Sequence, residues 1–289
     1  MPKPPTPVRM HFGHAVLLIS ALAAVSVAWT RRAQEVPDWR TVSAAAFPER
    51  AAELVDAGLD DAACDELAQR MNGSDPETAT RAAVLLGGVL EREQTTARAP
   101  QIAALLLERL ERREAVEVRG HVGVDVVAAR ALDRRAFMDG VAERLLELAC
   151  GDAPHPVLAV RTECAAVVLE ANVGWIDVSA TNGLAPMDVR RAGLNRRAAA
   201  FLLSILRAET PDEAKSPRSW ERVTTLAWVK TRAALALTRA AAAHTLWRET
   251  GGNSSAQAAV DVEVTFRPDG SWAHQMAEAD RLEAILFDG

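Results

Sequence analysis

Tyrosine is absent from this chain, and aromatic side chains make up only 4% of its 289 residues. The Val-Ile-Thr-Tyr runs that mark sheets are scarce too, so a sheet architecture is not expected. Lysine is nearly missing: Lys3, Lys215 and Lys230 are the only lysines among 33 basic residues. Against those stand 39 acidic residues, for a formal net charge of −6. A mildly acidic chain argues against a broad phosphate-binding footprint, so no nucleic acid is expected as a partner. The three cysteines, Cys64, Cys150 and Cys164, show no C-x-x-C spacing. That excludes a disulfide framework and a zinc signature. Each lies in an apolar helical stretch, where cysteine behaves as a small hydrophobe. A Cys150–Cys164 bridge is the alternative if the chain is exported.

Catalytic signatures are also missing. No H-E-x-x-H, G-x-S-x-G, Walker loop or dinucleotide fingerprint occurs. Gly87-Gly88 sits in an apolar helical run with no Lys-Ser or Lys-Thr after it, which suits helix packing better than phosphate binding. Of the histidines, His11 and His14 flank a hydrophobic segment, and His121, His155, His244 and His274 are scattered. No two stand four apart with an acid, so no metal and no cofactor are expected. The chain is expected to be no enzyme.

What the chain does have is helix chemistry. Hydrophobic residues make up 49%, dominated by Ala and Leu, with Arg and Glu between them. Such side chains lose little rotamer freedom in a helix. Helices are expected over 48–57, 60–71, 76–92, from Pro100 onward, and near 117–133, 135–149, 156–171, 188–208 and 218–249, the last with a possible kink or break. Asp75-Pro76-Glu77 is a strong start, with a capping Asp, Pro in the first turn and an acid at the positive dipole end. Gly58 and Asn72-Gly73 are stops. Two stretches depart from this pattern. Residues 172–187 are too long and Gly/Asn-rich for a tight connection and read as an inserted loop. Val260, Val262, Val264 and Phe266 alternate before Arg267-Pro268-Asp269-Gly270, which reads as a small β-hairpin, followed by a short helix over 275–287.

The N-terminal part reads as a Pro-rich tail over 1–12, a hydrophobic segment over 13–30 and a linker over 31–47. From Gly13 to Trp29 there is no formal charge, and Arg31-Arg32 follow. Seventeen residues at about 1.5 Å each nearly cross a hydrocarbon core. The expectation is a membrane anchor with the remaining chain outside the cytoplasm. The alternative is a signal peptide cleaved near Ser26-Val27-Ala28, leaving a secreted or periplasmic protein.

Over 48–250 a basic residue recurs near helix starts: Arg81, Arg119, Arg161, Arg190 and Lys230, the last four preceded by Val118, Val160, Val189 and Val229. Small apolar residues follow, as in RAAVLLGGVL from 81 and RTECAAVVLE from 161. This pattern resembles the HEAT-repeat family over roughly residues 48–249. The resemblance implies an all-α fold, a right-handed α-solenoid of about four to five helix pairs. In such a stack one pair cannot cover its own apolar face, so neighbours bury it. Arg81, Arg119, Arg161 and Arg190 are then expected to form a structural ladder between repeats. Asp125, among VGVDVVAA, is read as a partner for Arg119 or Arg161.

Among the tryptophans, Trp220 and Trp228 share a helix face and read as core. Trp175, in the 172–187 loop, is the candidate contact to a partner, because loops carry binding residues more often than scaffolds do. The leading reading is a membrane-tethered or exported scaffold that binds another protein. The alternatives are an enzyme or nucleic-acid-acting module on the same scaffold, and a structural subunit of a membrane complex.

Overall fold

The computed structural model describes residues 39, 42–43, 46–93, 98–114, 123–133, 140–171, 186–209, 220–249, 264–267 and 270–288. The hydrophobic segment, Arg119 and Trp175 lie outside these residues. The described chain is helical, and none of it is strand. No described helix is long and apolar enough to cross a membrane.

Leu59 closes one compact unit and Asp60 opens a second. The first holds α1 (Phe47–Ala57), which enters through Pro48 and stops at Gly58, whose φ of 87° is one that glycine adopts without strain. The second holds α2 (Asp61–Met71), α3 (Pro76–Arg92), α4 (Ala99–Glu111), α5 (Val124–Ala131), α6 (Val141–Cys150), α7 (Leu158–Ala171), α8 (Pro186–Leu206), α9 (Trp220–Glu249) and α10 (Trp272–Glu283), ending in a π turn at Ala284–Asp288.

Side-chain caps fix the starts. Ala63 N–H donates to the Asp60 carboxylate at 2.8 Å, opening α2. Thr78 N–H donates to Asp75 at 3.2 Å, opening α3 ahead of Pro76. Each such cap stabilises a helix by about 1 kcal/mol. The long helix α9 runs from Trp220 to Glu249 as one element, without the break its sequence allowed.

Within the second unit, packing follows two rows. α3, α5, α7 and α9 pack each on the next; so do α2, α4, α6, α8 and α10, and the successive pairs α2/α3, α3/α4, α4/α5, α6/α7, α7/α8, α8/α9 and α9/α10 join the rows. The core is Leu and Ala, with Leu86, Leu106, Leu110, Leu145 and Leu146 wholly buried. Each such leucine contributes about 1.5–3 kcal/mol of burial. At the centre lies α7, in which every residue from Thr162 to Leu169 is buried. It touches α5, α6, α8 and α9, which is why its sequence is apolar all round rather than striped.

Among the described residues the expected C-terminal hairpin is not found. Val264–Arg267 have no regular structure, and the stretch a return strand needed is the first turn of α10. The reason is a cap: Ser271 Oγ accepts from His274 N–H at 3.3 Å and starts a helix. The Val264–Arg267 stretch is tied to that helix instead of to a second strand. Thr265 Oγ1 donates to Glu278 Oε1 at 2.9 Å, and Phe266 is buried. The remaining hairpin positions, 260–263 and 268–269, lie outside the described residues.

Candidate functional site

The arginines and acids expected to form a ladder are best followed from Asp125, in the first turn of α5. It is buried, and Arg109 of α4, also buried, donates Nε–H to its Oδ1 at 2.7 Å. Arg109 reaches Glu114 with a second nitrogen at 2.9 Å. On the far side His155 Nε2 stands 3.4 Å from Asp125 Oδ2. Val157 N–H donates to His155 Nδ1 at 3.1 Å, so Nδ1 is bare and the ring proton lies on Nε2, facing the carboxylate. Asp125 is thus paired with Arg109, whereas Arg161 is engaged elsewhere and Arg119 lies outside the described residues.

Arg161 serves a different end. Its Nε–H donates at 2.7 Å to the Ala149 carbonyl in the last turn of α6, and its guanidinium lies 5.1 Å from the Phe201 ring of α8. A cation on an orphan carbonyl at a helix C-terminus answers both hydrogen bond and dipole. Arg81 pairs with Glu77 inside its own helix, at 2.5 Å. Arg190 reaches from α8 to Glu143 of α6 at 2.5 Å.

Two further sets of pairs link alternate helices. In the row of α5, α7 and α9, Glu163 has 0% of its side chain exposed. Arg130 of α5 forks onto it at 3.2 and 3.3 Å, and Arg232 of α9 at 2.9 and 3.0 Å. Arg232 also forks onto Glu170 at 2.9 and 2.7 Å, and Arg239 reaches Glu170 at 3.0 Å. Burial pushes the Glu163 carboxyl up, but the hydrogen bonds and charges of Arg232 and Arg130 outweigh it and hold it below its usual range. In the other row Arg144 of α6 forks onto Glu111 of α4 at 2.7 and 2.6 Å. Arg197 of α8 reaches Glu147 at 3.3 Å, and Arg207 takes Asp280 of α10 at 2.8 Å together with Glu283.

Sequence reasoning missed this seam, although a signal existed. Glu163 and Glu170 stand seven apart, as do Arg232 and Arg239. Seven residues are nearly two turns, so each helix presents two like charges on one face, matched in sign by its neighbour. An acid inside the apolar run of α7 demanded such a partner.

Between α3 and α5 the surface opens into a groove of about 340 Å³, with Val84, Gly87 and Leu90 on one side and Val127 and Ala131 on the other. A Cβ on Gly87 would lie 2.8 Å from that of Ala131, so glycine is what permits this close approach. Val84 is 38% exposed, one of three large apolar side chains so exposed among the described residues, with Leu158 and Trp272. Glu91, Arg130 and Asp133 complete the lining.

Reactive groups are muted. All three cysteines are free, so the alternative Cys150–Cys164 bridge is not formed. Burial, with the charges of Glu163 and Asp125, drives the Cys164 thiol far up, away from a thiolate. Lys230 is buried, donates to Gln275 Oε1 at 2.8 Å and lies 5.3 Å from the Trp272 ring. Burial lowers its pKa. Trp228 is half-buried on α9. Among the described residues no three His, Cys, Asp or Glu side chains gather as a metal site. No family model matches the chain, nor does any curated protein or any solved structure.

Proposed function

We propose that this chain is a non-catalytic helical-repeat scaffold that binds another protein through the groove between α3 and α5. The pairs α2/α3, α4/α5, α6/α7 and α8/α9 are read as HEAT-like units of a right-handed α-solenoid. The alternation of packing in two rows supports that reading. Residues 13–29 would hold the scaffold at a membrane or export it, on the strength of their uncharged apolar run and basic flanks.

The observation that carries the binding role is Val84. A valine exposed on a groove floored by other apolar groups is surface that a partner would cover. The buried charges support a scaffold as well. Asp125 pairs with Arg109, and Glu163 with Arg232, across helices, the use expected of positions that hold a stack together.

A photo-crosslinking residue placed at Val84 of the full-length protein in its native cells tests the role. Discrete crosslinked products should form there and not from Ala104, an exposed position on α4. Absence of products at Val84, or equal products at both positions, contradicts it. Fractionation tests the address: uncleaved protein found soluble in the cytosol contradicts the membrane or export role of 13–29.

A further inference from the structure

We propose that His155 is an acid-operated latch: it holds the connection between α6 and α7 closed while its ring is neutral, and frees it once the ring takes a second proton. That connection, residues 151–157, is exposed or half-buried everywhere except at His155, which is 1% exposed. His155 ties both ends of it. Its backbone N–H donates to the Leu148 carbonyl in the last turn of α6 at 2.8 Å. Its Nδ1 accepts from Val157 N–H, and the Val157 carbonyl accepts from Arg161 N–H at 3.2 Å, at the start of α7.

The ring is satisfied on one side only. Nε2 is buried with no hydrogen-bond partner, and the Asp125 carboxylate stands just out of reach at 3.4 Å. Histidine is the side chain suited to changing charge between neutral and mildly acid conditions. A second proton has only Nδ1 to go to, where it meets Val157 N–H, donor against donor. The charge it brings also draws Nε2–H onto Asp125 and the ring away from Val157. Both effects break the same hydrogen bond, so protonation and release of the connection are one event.

The surrounding charges favour that event. Asp125 of α5 faces the ring directly. Arg109 of α4 opposes a second cation, but it is one cation between two carboxylates, Asp125 and Glu114, and a charged His155 makes the set even. On α7, Glu163 is held by Arg130 and Arg232, burial keeps Cys164 a neutral thiol, and Arg161 is engaged with the Ala149 carbonyl of α6. Glu147 of α6 lies against Gly151 and is reached by Arg197, and Asp152 in the connection itself is exposed.

Hydrogen–deuterium exchange of the full-length protein in nonionic detergent tests the latch, read by mass spectrometry over residues 151–161 and corrected for the intrinsic rate at each pH. Corrected exchange there should rise at least about fivefold from about pH 7.5 to about pH 5.5, while α3 changes less than about twofold. His155→Asn keeps an acceptor where Nδ1 stands and takes no proton, so its exchange should be equal at both pH values. Val157→Pro removes the N–H that the latch holds, and should leave the connection open at both. A wild-type rate that is the same at both pH values overturns the proposal, and so does a rise that persists in either variant. If the melting temperatures show that neither variant folds, the wild type decides alone. A rise over 151–161 with α3 still protected supports the latch, and a joint rise of both segments overturns it.

Discussion

The two rows of helices are laced by the same chemistry, arginine forks on glutamate between alternate helices, in two different solvents. In the row of α5, α7 and α9 the shared carboxylate, Glu163, is wholly buried and Arg232 nearly so. In the row of α4, α6, α8 and α10 the partners stand in water, with Arg144 and Glu111 exposed by 44% and 39%. Hydrogen-bond geometry does not separate them: the exposed Arg144–Glu111 fork is shorter than the buried Arg130–Glu163 fork. Burial does. A buried pair that loses one member strands a charge in low dielectric, whereas an exposed pair that loses one member merely returns the other to water. A contact's worth here is set by its surroundings rather than by its length.

That contrast orders the mutations. Glu163→Ala should be the most damaging, at about 3–4 kcal/mol: it removes both forks on a wholly buried carboxylate and leaves Arg232 on Glu170 alone, while Arg130, 55% exposed, turns to water. A urea midpoint within error of wild type would mean that the seam is not a structural element. Arg109→Met should come next, at about 3 kcal/mol, because it leaves Asp125 buried against His155 alone. Arg161→Ala removes a charge-assisted hydrogen bond to the Ala149 carbonyl and the stacking on Phe201, and should cost about 1.5–3 kcal/mol by the same measurement. Arg144→Ala should be smallest, under about 1 kcal/mol, and should fade further in high salt.

The seam also has a pH signature. The folded pKa of Glu163 lies below its ordinary 4.5, so on acidification the unfolded chain takes up this proton first. The seam's stabilisation is thus complete above about pH 4.5 and is lost as pH falls through the lowered folded value. Urea midpoints between pH 7 and pH 3 should fall for wild type more steeply than for Glu163→Gln, which has no carboxyl to protonate. Equal slopes would assign the acid limb to other groups.

These differences were unequally legible in the sequence. Helix starts were plain, because Asp75-Pro76 announces a cap and a first turn within two residues. The apolar run of α7 announced its burial in the same way. The hairpin expectation fails at its described end for a specific reason: the alternation that ends at Phe266 favours a strand, but Ser271, a cap three residues before His274, starts a helix where the return strand would run. Asp125 was recognised as a paired acid, but nothing local says that the pair comes from Arg109, sixteen residues back on another helix. The groove was invisible, since Gly87 reads as an ordinary packing glycine until Ala131 is found against it. Trp175 and Arg119 fall outside the described residues.

The central claim, that burial makes one row of arginine–glutamate pairs structural and leaves the other incidental, reduces to two double-mutant cycles measured side by side. One cycle pairs Glu163→Ala with Arg232→Ala, and the other pairs Glu111→Ala with Arg144→Ala. The predicted coupling is at least about 2 kcal/mol in the first and at most about 0.5 kcal/mol in the second. Equal couplings, or a larger one for Glu111 and Arg144, would contradict the account.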